Sequence, residues 1–429
     1  MTAEVVIMNA IGVAMAADSA VTIGNDAKKI FTSSDKLFQL TNGDAVGIMT
    51  YGNAVLLGVP WETIIKQYRA FVGKRRLPTV ADYASSFLKF VNRNRAMFPM
   101  AVQDEHVGLL VRSLFHHFRR DKLKVSLDRE LEEKKELTKD EVSRIAEQTL
   151  VTFRKEMLGG RHYLPGFDSQ SSARILNRHR ARARHQLKSV FGTIPLKKST
   201  QNGLVDLALK LLTREVCGPL SSGLVFAGFG EEEYMPEVTA CRIECFADRK
   251  LRVSRPERTS IEPLGTVASI IPFAQKEVVE TFMEGVDRQL RGQFGKQAET
   301  ALHQVGDALV SAVQKQNPKL ANEMQIVLSS GIPRVIQELH RRWDSFTSVH
   351  WRPVTEIVST LPKDELAAMA EALVNLTKFK RRITPQRETV GGPIDVAVIT
   401  RGDGFVWIKR KHYFEATLNP RVMAKLVAA

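Results

Sequence analysis

Two short apolar runs open the chain and are separated by a polar turn. Residues 2–8 and 11–17 are almost wholly apolar, and Asn9-Ala10 lies between them. Short apolar runs joined by a turn residue are typical of two antiparallel strands. The opening therefore predicts a β-hairpin with its turn at Asn9-Ala10.

A helical spacing takes over after the first strands. Residues 58–71 and 77–91 repeat apolar side chains every three or four positions, which predicts two amphipathic helices, the second capped near Thr79. Residues 128–150 are strongly charged and carry Glu/Lys pairs at helical spacing, which favours a solvated helical arm. Apolar residues recur every three or four positions through residues 276–354. These last two segments predict long helical insertions.

Strand patterns return twice in the rest of the chain. The pattern of residues 221–253 predicts two strands joined by a hairpin turn. Residues 391–408 begin with a Gly-Gly pair, and their pattern predicts a strand followed by a second hairpin with Arg-Gly-Asp at its turn. Between them, residues 361–379 predict a helix with Asp364 and Glu365 in its first turn.

Composition narrows the class of protein. The chain has 429 residues, of which 44% are hydrophobic and 25% charged, enough to bury a substantial core.

Three cysteines cannot form a disulfide framework, which predicts a reducing, cytoplasmic location. Cys241 and Cys245 share one face of a predicted strand with no histidine nearby, so buried thiols are favoured over a zinc site. We expect no metal, no cofactor and no membrane span, since no stretch has the ~18 consecutive apolar residues that a span requires.

The net charge of +15 is concentrated in one segment. Residues 154–198 hold eleven basic residues against two acidic ones. Helical spacing places Arg178, Arg182 and His185 near one face, and the candidate contact residues are Arg178, Arg180, Arg182 and Arg184. A solvated helix, a contact with nucleic acid or an acidic protein, and an oligomer contact all remain open. The scarcity of aromatic residues argues against sequence-specific RNA binding.

Thr2 and Asp18 are the first candidates for chemistry. If the opening hairpin pairs about residue 10, Thr2 lies opposite Asp18. Removal of Met1 leaves Thr2 with a free α-amine, which titrates at about 7.7–8.0 and can therefore act as a base near neutral pH. Threonine activated by its own amine is a known type of nucleophile. The alternatives are an ordinary second residue and an aspartate that ends a buried strand.

A nearby lysine would complete such a site, because its charge lowers the pKa of the hydroxyl. Lys28, Lys29 and Lys36 follow the hairpin closely. The spacing alone does not choose among these three lysines.

These residues give the sequence a family resemblance. The segment AADSAVT at 16–22, followed by KLFQLTNGDAVGIMTYGNA at 36–54, resembles the opening of proteasome β subunits and their bacterial peptidase relatives, the N-terminal-nucleophile (Ntn) hydrolases. The order of the later strands and helices is also similar. The resemblance implies an α+β fold, a four-layer αββα sandwich, here with two long helical insertions.

The resemblance also implies roles for individual residues. Thr2 is the nucleophile, and Asp18 orients its amine and the lysine. Lys36 lowers the pKa of the hydroxyl and is favoured over Lys29, which lies too far along the chain from the family's turn, here Tyr51-Gly52. A backbone N–H at Tyr51 or Gly52 holds the oxyanion. The implied reaction is hydrolysis of an amide bond in a peptide or protein.

The resemblance divides the chain into five segments. Three belong to the sandwich, and two helical insertions interrupt them. In chain order the segments are 1–98 (sandwich), 99–219 (charged and basic insertion), 220–275 (sandwich strands), 276–354 (second insertion) and 355–429 (closing helix and strands).

Some positions depart from the family pattern. Ala20 stands where the family has an arginine, no Gly-Ser-Gly turn occurs between about 260 and 275, and Arg387-x-x-Val390 replaces Asp-x-x-Ser. The alternative is therefore an inactive scaffold that binds nucleic acid or an acidic protein through residues 154–198.

Proteasome relatives enclose their sites in rings, so we also expect a homo-oligomer, with a ring as one form. Val278, Phe282 and Val286 lie at helical spacing in the second insertion and need burial. The insertions would seal a chamber or form the subunit contacts.

Overall fold

The computed structural model describes residues 2–23, 29–41, 43, 45–218, 220–384, 390–415 and 417–428. The chain divides into two compact units. The terminal unit comprises Met1–Ser34 and Ser260–Ala424, and the middle unit comprises Asp35–Thr259 with Lys425–Ala429. Each unit contains an antiparallel sheet and several helices, which confirms the mixed strand and helix content expected from the sequence.

In chain order the strands are β1 (Ala3–Asn9), β2 (Val13–Asp18), β3 (Val21–Ile23), β4 (Lys29–Phe31), β5 (Leu37–Gln39), β6 (Val46–Gly52), β7 (Val55–Leu56), β8 (Val59–Pro60), β9 (Ser222–Gly228), β10 (Glu237–Ala247), β11 (Lys250–Val253), β12 (Glu257–Ser260), β13 (Ala268–Ala274), β14 (Ile394–Thr400) and β15 (Gly404–Lys409). In the same order the helices are α1 (Trp61–Val72), α2 (Val80–Arg93), α3 (Met100–His117), α4 (Lys124–Lys134), α5 (Lys139–Leu158), α6 (Ser169–Phe191), α7 (Lys198–Leu211), α8 (Lys276–Glu284), α9 (Arg288–Gln314), α10 (Pro318–Thr360), α11 (Lys363–Ile383) and α12 (Pro420–Ala428). A 3₁₀ turn spans Arg95–Met97, and a π-helical stretch over Phe118–Leu123 joins α3 to α4.

The sheet of the terminal unit has the strand order β13-β1-β2-β14-β15. All of its neighbouring strands are antiparallel. β1 and β2 are buried along their whole length, which explains why both read as nearly unbroken apolar runs. Val5, Ile7 and Ala14 belong to a core cluster with Leu366 and Val374 of α11. The predicted helix at 361–379 is confirmed as α11, with Asp364 and Glu365 in its first turn.

The predicted opening hairpin is confirmed, but its predicted register is wrong by one residue. Glu4 pairs with Ala17 and Val5 with Ala16, so Ala3 rather than Thr2 comes opposite Asp18. The cause is the turn. The Asn9 side chain accepts hydrogen bonds from the N–H groups of Ile11 (2.9 Å) and Gly12 (3.3 Å), which moves the turn one residue further along the chain than Asn9-Ala10.

The sheet of the middle unit has the strand order β11-β10-β9-β6-β5, and β12 also pairs with β10. Both predicted helices are confirmed as α1 and α2, and they contribute to one core with the sheet. Phe87 of α2 stands edge-on to Tyr68 of α1 and to Phe226 of β9, with ring centroids 5.0 and 5.5 Å apart. The aromatic residues that defined the helical spacing therefore form the centre of this core.

The predicted helix cap at Thr79 is confirmed. Its hydroxyl accepts a hydrogen bond from the Asp82 N–H at 3.1 Å, which satisfies one of the free donors at the start of α2. Glu233 supplies a second cap, because its carboxylate accepts from the N–H groups of Val80 (3.0 Å) and Gly230 (2.7 Å). Burial raises the pKa of Glu233 above its ordinary value.

The first insertion folds around a core of its own. The charged pattern at 128–150 forms parts of α4 and α5, since the chain turns at Lys135 and restarts with a Thr138–Glu141 capping box. The core joins aromatic residues from α3, α5, α6 and the π-helical stretch, namely Phe115, Phe118, Phe153 and Phe191.

The second insertion consists of long helices. α8 ends at Gly285, whose φ of 70° suits glycine and breaks the helix. Val286 therefore lies beyond α8, and the expectation that it continues a helical stripe with Val278 and Phe282 is wrong. α9 has 27 residues, and α10 has 43 residues with Pro333 and Pro353 inside it.

The closing segment forms β14 and β15 with a turn at residues 401–403, as predicted. The turn is held locally, because Thr400 Oγ1 accepts a hydrogen bond from the Asp403 N–H at 2.9 Å. No helix among the described residues is both long and apolar enough to cross a membrane.

Candidate functional site

Thr2 directly precedes β1 and is only 4% exposed. Its hydroxyl oxygen is buried and makes no hydrogen bond to any described residue. A buried polar group without a partner costs about 1–3 kcal/mol, so most buried hydroxyls are hydrogen-bonded. The hydroxyl of the candidate nucleophile thus has no evident structural use.

Asp18 ends β2, and its carboxylate is held by three backbone N–H groups. The Ala3 N–H donates to Oδ1 at 3.1 Å, and the N–H groups of Ala20 (3.2 Å) and Gly391 (2.9 Å) donate to Oδ2. These bonds connect the start of β1 and the end of β2 to the residues that lead into β14. Because Ala3 follows Thr2 directly, the first bond fixes the backbone next to the candidate nucleophile.

Gly391 is a site residue to which the sequence analysis gave no role. It donates to Asp18 and also accepts a hydrogen bond from the Ser19 N–H at 3.1 Å. Its neighbour Gly392 has a φ of 77° and lies so close to the Thr32 carbonyl that no Cβ could be accommodated. The Gly-Gly pair at 391–392 is the signal for this residue that is visible in the sequence.

Two departures from the family pattern have different outcomes. Ala20 contributes its backbone N–H to Asp18, a bond that does not depend on the side chain at this position. Val390 is fully buried, so no polar group stands where the family has a serine. Arg387 lies outside the described residues.

The segment that lacks the Gly-Ser-Gly turn forms β13, which pairs with β1. Ala274 is the partner of Ala3, so the next residue, Gln275, follows the strand at the Thr2 end of the pair. Ala274 has a φ of 61°, and Gln275 is 4% exposed. Gln275 has no distinctive signal in the sequence, because it is the first of three consecutive polar residues, Gln275-Lys276-Glu277.

Lys36 lies in the middle unit, directly before β5, and is 4% exposed. Its carbonyl accepts a hydrogen bond from the Thr50 N–H at 2.9 Å, and Tyr51 and Gly52 follow as the last residues of β6. The middle sheet thus brings Lys36 and the predicted oxyanion turn to one end of a strand pair. Lys29 lies in β4 of the terminal unit. Lys28 is outside the described residues.

The basic side chains of α6 are largely engaged within the middle unit. Arg178 forms two hydrogen bonds with the Asp104 carboxylate (3.1 and 2.8 Å), and Arg180 pairs with Asp206 at 3.0 Å. Arg184 donates to the Asn202 side chain at 3.3 Å. The Arg182 side chain lies over Gly108 of α3. Binding of a nucleic acid or acidic protein by these residues stays a prediction, and it would compete with internal partners.

Two of the three cysteines are buried and unreactive. Cys241 and Cys245 are buried in β10, and burial raises the pKa of Cys241 to about 12 and that of Cys245 further. Such thiols are almost wholly protonated near neutral pH and are therefore poor nucleophiles and metal ligands. In the described part of the chain, no group of three or more histidine, cysteine or acidic residues could hold a metal ion.

No protein-family model matches the sequence, and a comparison with curated proteins finds no match. Among solved structures, the chain is similar to the Gly-1 mutant of Anbu from Hyphomicrobium sp. strain MC1. The two chains are 11% identical, and the similarity covers 100% of this chain and 96% of that one, with a TM-score of 0.27. A TM-score this low defines neither the fold nor the activity of this chain.

Proposed function

We propose that the chain is a threonine-type peptidase or amidohydrolase of the N-terminal-nucleophile class, with Thr2 as its nucleophile after removal of Met1. The observation that carries the proposal is the Thr2 hydroxyl, which is buried and has no hydrogen-bond partner among the described residues. It lies next to a backbone N–H that the Asp18 carboxylate holds in place. A buried hydroxyl without a partner needs an explanation, and Thr2 differs from the other such hydroxyls by its place directly before β1, beside the backbone that Asp18 anchors.

The chemistry follows from the two groups that an N-terminal threonine carries. Thr2 Oγ1 attacks the carbonyl carbon of an amide, and the Thr2 α-amine takes the hydroxyl proton. Collapse of the tetrahedral intermediate breaks the C–N bond, and the protonated α-amine gives its proton to the departing amine. Water then attacks the threonyl ester with the same amine as base, which releases the acid and restores Thr2.

Asp18 acts as a positioning residue in this scheme. Through the Ala3 N–H it fixes the direction in which β1 presents Thr2, and through the Gly391 N–H it ties that point to β14. For Lys36, Tyr51 and Gly52, the proposed roles rest on the sequence resemblance alone. The resemblance also supplies the four-layer αββα arrangement and the cytoplasmic location that belong to this proposal.

The decisive experiment is the intact mass of the purified protein before and after treatment with a peptide epoxyketone, which reacts with an N-terminal threonine through both its hydroxyl and its amine. We expect the mass without Met1, an increase by one inhibitor molecule, and hydrolysis of fluorogenic peptides that stops on labelling. The Thr2→Ala variant should neither hydrolyse peptides nor bind the inhibitor, and Thr2→Ser should retain part of the activity.

Thr200→Ala is the matched control, because Thr200 lies within α7 and its buried hydroxyl also has no hydrogen-bond partner in the described part of the chain. It should keep full labelling and turnover. Equal turnover by the wild type and Thr2→Ala would exclude the mechanism. A protein that retains Met1 and reacts with nothing would favour the inactive scaffold instead.

A further inference from the structure

The second insertion forms a long helical hairpin in which α9 and α10 run side by side. At 1.5 Å per residue, α9 is about 40 Å long and α10 about 65 Å. Only three residues of α9 are buried, namely Gly295, Gly306 and Val310. Gly306 lies against Leu328 and Ile332 of α10, and Gly295 lies against His340. The seam between the helices is therefore narrow and consists of small residues on the α9 side.

Both helices carry a second apolar stripe that is not in this seam. On α9 the stripe follows spacings of three and four, and its large members are Leu290, Phe294, Val305 and Leu309, each at least half exposed. On α10 the corresponding exposed residues are Leu320, Val327, Val335, Phe346 and Val349. At 100° per residue, the α9 stripe lies about 110–120° from the seam glycines. The exposed α10 residues cover an arc of about 100°, whose middle lies about 100° from the mean direction of Leu328, Ile332 and His340. The antiparallel direction of α10 brings both sets to the same side of the hairpin.

The two stripes together form one broad apolar face. With typical side-chain areas, the nine exposed residues present on the order of 1,000 Å² of apolar surface. The largest patch on an ordinary monomer is about 300–600 Å². A stable protein–protein interface buries about 800 Å² on each partner. The exposed area thus exceeds what a monomer tolerates and is enough for a stable interface.

We propose that this face pairs with the same face of a second copy of the chain, so that two helical hairpins form a four-helix bundle about a two-fold axis. A two-fold pairing is self-complementary, since each apolar stripe meets an apolar stripe and both copies bury the same surface. Small residues within the stripes, among them Ala301, Ala308 and Gly331, let the helices of the two copies approach closely. The homo-oligomer expected from the sequence thereby acquires a defined interface.

The charges on this face favour a second copy over a partner of a single charge sign. Between Leu320 and Val349, the charged side chains in line with the α10 stripe are Glu338 and Arg342, which form a 3.0 Å ion pair with each other. Glu338 also pairs with Arg341 at 2.8 Å, so acidic and basic side chains are mixed here. A second copy brings the same predominantly apolar surface.

The test is the mass of the full-length protein in solution at about 10 µM, measured by sedimentation and light scattering. The chain has a mass of 48.1 kDa, and we expect twice that value or an even multiple of it. The triple variant Val305→Glu/Val335→Glu/Val349→Glu places charges on the face and should halve the wild-type mass. The helix content by far-UV circular dichroism should stay unchanged, because all three side chains are at least half exposed in the single chain.

Two matched controls separate this face from exposed apolar surface in general. Ile326 lies on the opposite side of α10 and is 69% exposed, and Val151 on α5 is 68% exposed. Ile326→Glu and Val151→Glu should each leave the oligomer intact. A monomeric wild type, an odd-numbered oligomer, or a triple variant that assembles like the wild type would each overturn the proposal. The result does not depend on whether Thr2 is reactive.

Discussion

The two helical insertions show what amphipathic spacing does and does not specify. Both have strong helical patterns, and both form helices. The first insertion, α3–α7, buries its apolar residues in a core of its own, where Phe118 and Phe153 lie with ring centroids 5.3 Å apart. The second, α9 with α10, buries only a narrow seam and leaves large apolar side chains exposed. Periodicity therefore indicates that a face needs burial but does not identify what will cover it.

The sharpest test of this contrast removes one aromatic ring from the first core. Phe153→Ala leaves a cavity among buried side chains and should lower the free energy of unfolding by about 3–5 kcal/mol. The comparable truncation in the second insertion, Val327→Ala, should change it by no more than about 0.5 kcal/mol when measured on the triple-variant background. Urea denaturation measures both changes. If Phe153→Ala and Val327→Ala lowered the free energy of unfolding equally, the two insertions would not differ in how they bury their apolar side chains.

A second test concerns how the first insertion is fastened to the middle sheet. Arg252 of β11 is buried, forms an ion pair with Glu244 of β10, and donates to the carbonyls of Leu212 (2.6 Å) and Val216 (2.9 Å), which follow α7. Glu244→Gln leaves the guanidinium buried without its counter-charge and should cost about 3 kcal/mol. The double variant Glu244→Gln/Arg252→Met should recover part of this loss. If the double variant were less stable than Glu244→Gln, the loss could not be assigned to the unpaired guanidinium of Arg252.

Local features could be predicted from the sequence, whereas contacts between distant segments could not. Thr79 and the residue that it caps are three positions apart, so composition and spacing were enough to identify the helix start. The Gly391–Asp18 bond joins residues 373 positions apart, and no spacing rule reaches that far. The opening hairpin lies between these cases. Its strands were visible, but the Asn9 side chain, which accepts two N–H groups, shifted the register by one residue.

The pH dependence of the first insertion provides a smaller effect. His179 of α6 is buried, and burial lowers its pKa despite the nearby Asp104 charge. In the unfolded chain the imidazole takes up a proton near pH ~6.5, while in the fold it stays neutral to lower pH. The contribution of His179 to the free energy of unfolding is therefore fully present above pH ~6.5 and declines as the pH falls below that value.

His179→Gln should flatten this decline, as measured by urea denaturation between pH 5 and pH 7.5. His185→Gln on the same helix is the control, since that side chain is exposed. An unchanged slope in His179→Gln would assign the decline to other groups.

The smallest effect is expected for the ion pairs on the surface of α6. Burial tends to raise the pKa of Asp104, but the hydrogen bond and charge of Arg178 outweigh it and hold the pKa below its ordinary value. The side chains of this pair are 43% and 23% exposed, so Arg178→Gln should lower the free energy of unfolding by no more than about 1 kcal/mol.

Replacing Arg178, Arg180, Arg182 and Arg184 together by glutamine tests polyanion binding. Salt-sensitive heparin binding that the variant loses would establish this surface as a contact, and its absence in the wild type would leave only a charged helix.

The divided path of the terminal unit has a consequence for biosynthesis. β2 ends at Asp18, but its neighbour β14 begins at Ile394, and residues 35–259 of the middle unit are made in between. At about 5–20 residues per second, the ribosome needs roughly 20–75 s to supply that partner strand. During this interval the apolar β1–β2 hairpin has no completed sheet to join, while the middle unit can already fold. The edge of β2 that faces β14 therefore stays without its partner strand until the closing segment of the chain has been made.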